Sequence, residues 1–156
     1  MPESEGYRVP QVCKVVGISY RQLDYWARTG LVTPSIREAG GSGTQRLYSF
    51  QDLVQLRVVK KLLDAGLSLQ KIRKAVGFLQ EHLDDGPTQV TLLSDGSSVY
   101  AAQSDDEIFD LLKRGQGVFA IAVDRVQDDL AASLGRRGRT RARPPAAATR
   151  VGAGGA

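Results

Sequence analysis

VCKVVGISYRQLDYWARTGLV (Val12–Val32) and, after Thr33, PSIREAGGSGTQRLYS (Pro34–Ser49) decide how this chain folds. The first segment predicts two short helices around a tight turn. Val9, Val12, Val15 and Val16 make one apolar face, Pro10 suits a first helical turn, and Gly17 suits a stop, so a helix is expected over Tyr7–Val16. Ser19 is a natural N-cap for a second helix over Tyr20–Thr29, with Leu23 and Ala27 facing inward and Gly30 ending it. Two helices joined only by Gly17 and Ile18 must cross steeply, as in a helix-turn-helix. In the second segment, Ile36 and Leu47-Tyr48 flank Gly40, Gly41 and Gly43, a pattern for two strands joined by a flexible, basic loop of the kind called a wing.

Working outward, Ser49 caps a third predicted helix over Phe50–Ala65, whose packing face is Phe50, Leu53, Val54, Leu56, Leu62 and Leu63. Ser68 caps a fourth, with Leu69, Ile72, Val76, Leu79 and Leu83 at helical spacing. Asp84-Asp85-Gly86-Pro87 breaks that pattern and marks the expected domain boundary. Beyond it, Val90–Leu93 and Val99–Ala101 read as strands around Ser94-Asp95-Gly96-Ser97. Asp105–Lys113 reads as an amphipathic helix, Val118–Val123 as a fully buried strand, and Asp124–Leu134 as a last helix. The apolar strand exceeds what about 50 residues cover easily, which predicts help from a partner subunit. The expected fold class is mainly α: a winged helix-turn-helix DNA-binding domain over 1–83, a small acidic α/β domain over 84–135, and a disordered Arg/Ala/Gly-rich tail over 136–156.

Charge divides along the same lines. Residues 1–83 carry 12 Lys+Arg against 7 Asp+Glu, residues 84–135 carry 3 against 10, and residues 136–156 carry 6 Arg and no acid, within a net charge of +4. A basic front suits a polyanion and an acidic middle would be repelled by one, so DNA contact is expected at the front. The apolar runs fall short of the roughly 18–20 residues needed to span a bilayer, and MPESEGYR has no signal-peptide character. A cytoplasmic, nucleoid-associated protein without a membrane partner is expected. One cysteine, Cys13, and one histidine, His82, far apart in sequence, make no metal-ligand cluster, and no cofactor is expected.

With Leu23 and Ala27 turned inward, the second helix exposes Tyr20, Arg21, Asp24, Tyr25 and Arg28. Cations and phenolic hydroxyls on one helix face can reach base edges and phosphates in a major groove one helix wide. Such a face alone also fits an ordinary solvated surface. The hairpin that follows, with Arg37, Arg46 and Tyr48, favours the DNA reading because a wing adds phosphate contacts beside the groove. Ser19, Tyr20, Arg21, Tyr25, Arg28, Arg37, Arg46 and Tyr48 are therefore the candidate DNA-binding residues.

GISYRQLDYWARTGLVTPS, followed by QRLYSFQDLVQLRVVKKLLDAGLSLQKIRKAV, resembles the MerR family of bacterial transcription regulators over about Tyr7 to Leu83. The resemblance implies a winged helix-turn-helix followed by two helices, with Arg21, Tyr25 and Arg28 as recognition-helix contacts and Arg46 and Tyr48 as wing or phosphate contacts. It also implies a homodimer on a promoter inverted repeat, which distorts the DNA so that RNA polymerase engages it. Asp24 stands where the family usually has a basic residue, Trp26 where it has the second aromatic, and Ala27 where it has an acid; Trp26 is read as core. The family's dimer helix is not evident, because Gly86-Pro87 ends the fourth helix. The acidic segment is similar to that of an actinobacterial subgroup, and the tail fits a high-GC genome.

The remaining motifs have plainer readings. Cys13 among valines is expected to be a buried structural thiol, His82 a residue of a last helical turn, and Gly115-Gln-Gly117 a turn rather than a phosphate loop. Asp105-Asp106-Glu107 complement a helix dipole. No nucleophile and base are placed for an enzyme. The middle segment is open between an effector-like ligand sensor and a dimerisation or protein-interaction module, and the second is favoured because the segment is small for a drug pocket. The tail is open between an electrostatic DNA arm and a solubilising extension. The rival to a promoter regulator is an architectural or recombination-accessory DNA-binding protein.

Overall fold

The computed structural model describes residues 6–37, 45–82, 89–115 and 119–135, and of His82 the backbone alone. A short strand, β1 (Tyr7–Arg8), leads directly into α1 (Val9–Val16). The helix expected from Tyr7 therefore starts two residues later. Pro10 lies in its first turn, Val12 and Val16 are buried, and Gly17 closes it at φ +86° with its N–H donated to the Cys13 carbonyl at 2.9 Å. α2 (Tyr20–Arg28) opens on a reciprocal cap. The Gln22 N–H donates to the Ser19 hydroxyl at 3.0 Å, and the Ser19 N–H donates to the Gln22 side-chain oxygen at 3.1 Å. Leu23, Trp26 and Ala27 form its buried face, so Trp26 is core as the sequence suggested.

α3 (Phe50–Asp64) opens on the same device at Ser49 and Asp52. It is the axis of the molecule, packing against α1, α4 (Leu69–His82) and α6 (Val123–Ser133). Val58 and Val59 are buried besides the predicted Leu53, Val54, Leu56 and Leu62, while Phe50 and Leu63 are half-buried. A helix covered on several sides exceeds the single apolar stripe that its periodicity suggests. On α4, Ile72, Ala75, Val76 and Leu79 are buried, but Leu69 is exposed in the first turn; Leu83 lies outside the described residues.

The hairpin predicted over Ser35–Tyr48 is built differently from the expectation. Its return strand, β2 (Leu47–Tyr48), pairs antiparallel with β1, Tyr7 opposite Tyr48 and Arg8 opposite Leu47. Toward the outgoing limb there is an isolated bridge, Arg37 to Leu47. The glycine tip lies outside the described residues. Gly6, at φ +83°, lets β1 approach: a Cβ there would come within 2.9 Å of the Tyr48 carbonyl oxygen and 2.7 Å of Ile36 Cδ1.

After the expected boundary, three strands form an antiparallel sheet in the order β4 (Val99–Ala102), β3 (Thr91–Ser94), β5 (Phe119–Ala122). The turn between β3 and β4 is held by Asp95, whose carboxylate accepts the Ser97 and Ser98 N–H groups at 2.9 Å each. These bonds hold its carboxyl below the ordinary aspartate range. All four residues of the central β3 are buried. In β5, predicted to be fully buried, only Ile121 is; the others are half-buried because the strand lies at a sheet edge. α5 (Asp105–Lys113) packs on β3 and β4, and Phe109 remains exposed on it. α6 returns to α3 and α1, so Val90, Leu92, Ile121, Val123, Val126 and Leu130 share one core cluster with the front helices. Residues 136–156, predicted to be a disordered tail, lie outside the described residues.

Candidate nucleic-acid interface

The capped start and buried face of α2 fix what it presents outward. Tyr20, Asp24 and Arg28 fall four residues apart in one column, and Arg21 and Tyr25 form a second beside it. Tyr20 is 62% and Tyr25 47% exposed, and Arg21 and Arg28 are exposed as well. The Ser19 hydroxyl is exposed but engaged in the cap.

Asp24 is the electrostatic centre of this face. Its Oδ2 accepts from Arg28 Nε at 2.9 Å, and its Oδ1 accepts from Arg46 Nη1, just before β2, also at 2.9 Å. The Arg46 bond, then the Arg28 bond, hold the Asp24 carboxyl below the ordinary aspartate range. The Arg28 side chain is open to solvent, whereas that of Arg46 is only 14% exposed. Arg46 thus joins the hairpin stem to α2, a coupling that sequence spacing does not reveal.

Arg37, also exposed, donates from Nε to the Gln45 carbonyl at 3.1 Å, bracing the base of the hairpin. Tyr48 corrects the sequence reading. It is fully buried, with no exposed surface, so it is a core residue rather than a DNA contact. Its strand turns it inward against the helices, which its place in RLYS could not show.

Two supports were missed by the sequence reading. The buried Asp52 carboxylate accepts from the Ser35 N–H and hydroxyl, both at 2.8 Å, and from the Ser49 N–H at 2.9 Å, fastening the outgoing limb to the start of α3. Arg57 donates to the Val15 carbonyl at 3.0 Å, satisfying the end of α1. A capping-box pattern at Ser49 and Asp52 signals the first locally, but its bond to Ser35, 17 positions away, is tertiary.

Cys13 is half-buried and packed against the core, and burial raises its thiol above 9.0. It lacks the thiolate character of a reactive cysteine. No helix among the described residues is long and apolar enough to cross a membrane.

Helix-turn-helix, paired hairpin stem and cationic outward face together define a DNA-binding type of domain. Residues 7–77 match the MerR HTH family regulatory protein model, and this part of the chain is a MerR-family helix-turn-helix domain. The chain is similar to an HTH-type transcriptional regulator of Mycobacterium tuberculosis, 55% identical over 128 residues, covering 82% of this chain and 57% of that protein. It is also similar to the nodulation protein NolA of Bradyrhizobium elkanii, 30% identical over 104 residues, covering 60% of this chain and 46% of NolA. A third relative is the HTH-type transcriptional regulator HmrR of Sinorhizobium medicae, 26% identical over 73 residues, covering 47% and 48% of the two chains. The chain thus spans little more than half the length of the mycobacterial relative.

Proposed function

We propose that this protein is a sequence-specific, DNA-binding transcription regulator of the MerR type. The observation that carries the reading is the outward face of α2, where Tyr20, Arg21, Tyr25 and Arg28 are exposed on a helix whose opposite side is locked into the core. A capped, rigid helix presenting cations and hydroxyls supplies base-edge and phosphate contacts in the major groove. Arg37, exposed at the base of the hairpin, contacts phosphates flanking the groove. Ser19 adds a hydroxyl at the helix start, where backbone N–H groups also face an anion.

The full regulator binds a promoter inverted repeat as a homodimer in the cytoplasm, because a two-fold protein reads a two-fold site. Binding distorts the DNA between the half-sites, and the cost of that distortion depends on the spacer sequence. RNA polymerase then engages the reshaped promoter. The family match over 7–77 and the names of the relatives support this reading.

Selection from a random duplex library, followed by affinity measurement across a salt series, tests it. Arg21→Ala and Tyr25→Ala are expected to cost about 1–3 kcal/mol each on the selected site and little on scrambled DNA. Equal losses on both DNAs, or none, would remove α2 from the role of reader.

A further inference from the structure

Asp24 places an anion in the middle of the face that the proposed function turns toward a polyanion. Nothing about helix stability requires it there. α2 is already capped at Ser19 and fixed by Leu23, Trp26 and Ala27, and Asp24 is itself partly exposed. What its carboxylate does is hold two guanidinium groups from different elements: Arg28 one turn further along α2, and Arg46 from the hairpin stem. Arg28 belongs to the exposed surface from which phosphate and base contacts are drawn, and Arg46, only 14% exposed, sits at its edge in the hairpin stem.

We propose that Asp24 is the specificity-determining residue of this interface, holding Arg28 and Arg46 away from indiscriminate phosphate contact and demanding a base edge that can donate a hydrogen bond to its carboxylate. The inference rests on the reading of α2 as the reader of DNA. Two consequences of charge and geometry carry it. An arginine bound to a carboxylate gains less from a phosphate, since that contact must replace or share an existing ion pair. Sequence-independent binding, which depends on cations reaching the backbone, is weakened accordingly. Each carboxylate oxygen accepts one arginine bond and keeps a further lone-pair direction open. In the major groove that capacity is met by an amino group, above all N4 of cytosine, while a guanine edge there would set acceptor oxygen and nitrogen against an anion. Arg28, open to solvent and oriented by the same carboxylate, reaches the neighbouring position with little further loss of side-chain freedom.

Asp24→Asn tests this in the full chain, because it keeps the shape and removes the charge. The probes are a pool of random-sequence duplexes and the duplex that the wild-type chain enriches from that pool. The variant is expected to bind the random pool more tightly, with a salt slope steeper by about one. Its preference for the selected duplex over the pool is expected to fall by about tenfold, with the cytosine preference lost at one position per half-site. Asp24→Glu, which retains the charge, is expected to keep the weak binding to the random pool. A variant with the wild-type ratio, salt slope and enriched sequence overturns the role of Asp24 while leaving the DNA-reading helix intact. A wild-type chain that enriches no sequence overturns both.

Discussion

Asp24 ties the outward face of α2 to the hairpin stem, because one of its two ion pairs stays within the helix, at Arg28, while the other reaches Arg46, 22 positions away. Its carboxyl lies below the 3.8 of an ordinary aspartate, chiefly through Arg46. A depressed carboxyl contributes stability that is present above 3.8 and lost as pH falls through the lower folded value. The bridge between α2 and the hairpin stem is therefore intact at neutral and mildly acidic pH. A carboxyl-carbon NMR titration is expected to place the Asp24 midpoint below 3.8 in the wild type, and Arg46→Ala is expected to move it upward. A midpoint unmoved by Arg46→Ala would break the assignment of cause. At this scale the sequence identifies Arg21, Arg28 and Tyr25 as outward, because the inward set of α2 is legible from period alone. It misassigns Tyr48, since the side on which a two-residue strand turns its tyrosine is decided by what it pairs with.

At the scale of elements, the helices are specified locally by reciprocal caps at Ser19 and Ser49, a proline in the first turn of α1 and a left-handed glycine at its end. The hairpin is not. Its stem is held from outside itself by β1, by the Asp52 carboxylate gripping Ser35, and by Arg46 on Asp24. β1 is only two residues long and depends on the close passage of Gly6 past the Tyr48 carbonyl. Gly6→Ala adds a Cβ at positive φ into that contact and is expected to destabilise the fold by about 1–3 kcal/mol. Urea denaturation measures the loss, and amide exchange is expected to rise first at Tyr7 and Tyr48, which face each other across the pairing. A variant as stable as the wild type would show that the β1–β2 pairing is dispensable.

For the whole molecule, the notable feature is that the segment behind the DNA-binding front is not hung from it by a linker alone. α6 packs against α3 and touches α1, and Leu130 is completely buried in the core cluster that also holds Val12, Leu53 and Leu56. The front helices and the acidic sheet segment should therefore unfold together. Leu130→Ala is expected to cost about 2–5 kcal/mol and to lower the melting of Trp26 fluorescence, in the front, along with the loss of far-UV helical signal. A front that melts at the wild-type temperature in this variant would show two independent units. The arrangement also connects the rear segment, through α6, to α1, which packs against α2.

By itself the sequence determined the order and type of most elements, because helical period, caps and glycine stops act within a few residues of one another. It also determined the charge division and the outward face of α2. The tertiary structure alone decided what depends on distant partners. It made β1 a strand by giving it β2, placed β5 at a sheet edge, turned Tyr48 inward, and set the Asp24 carboxylate between Arg28 and Arg46. Backbone pairing and ion pairing are satisfied by whichever group folding brings within about 3 Å, and that group need not be near in sequence.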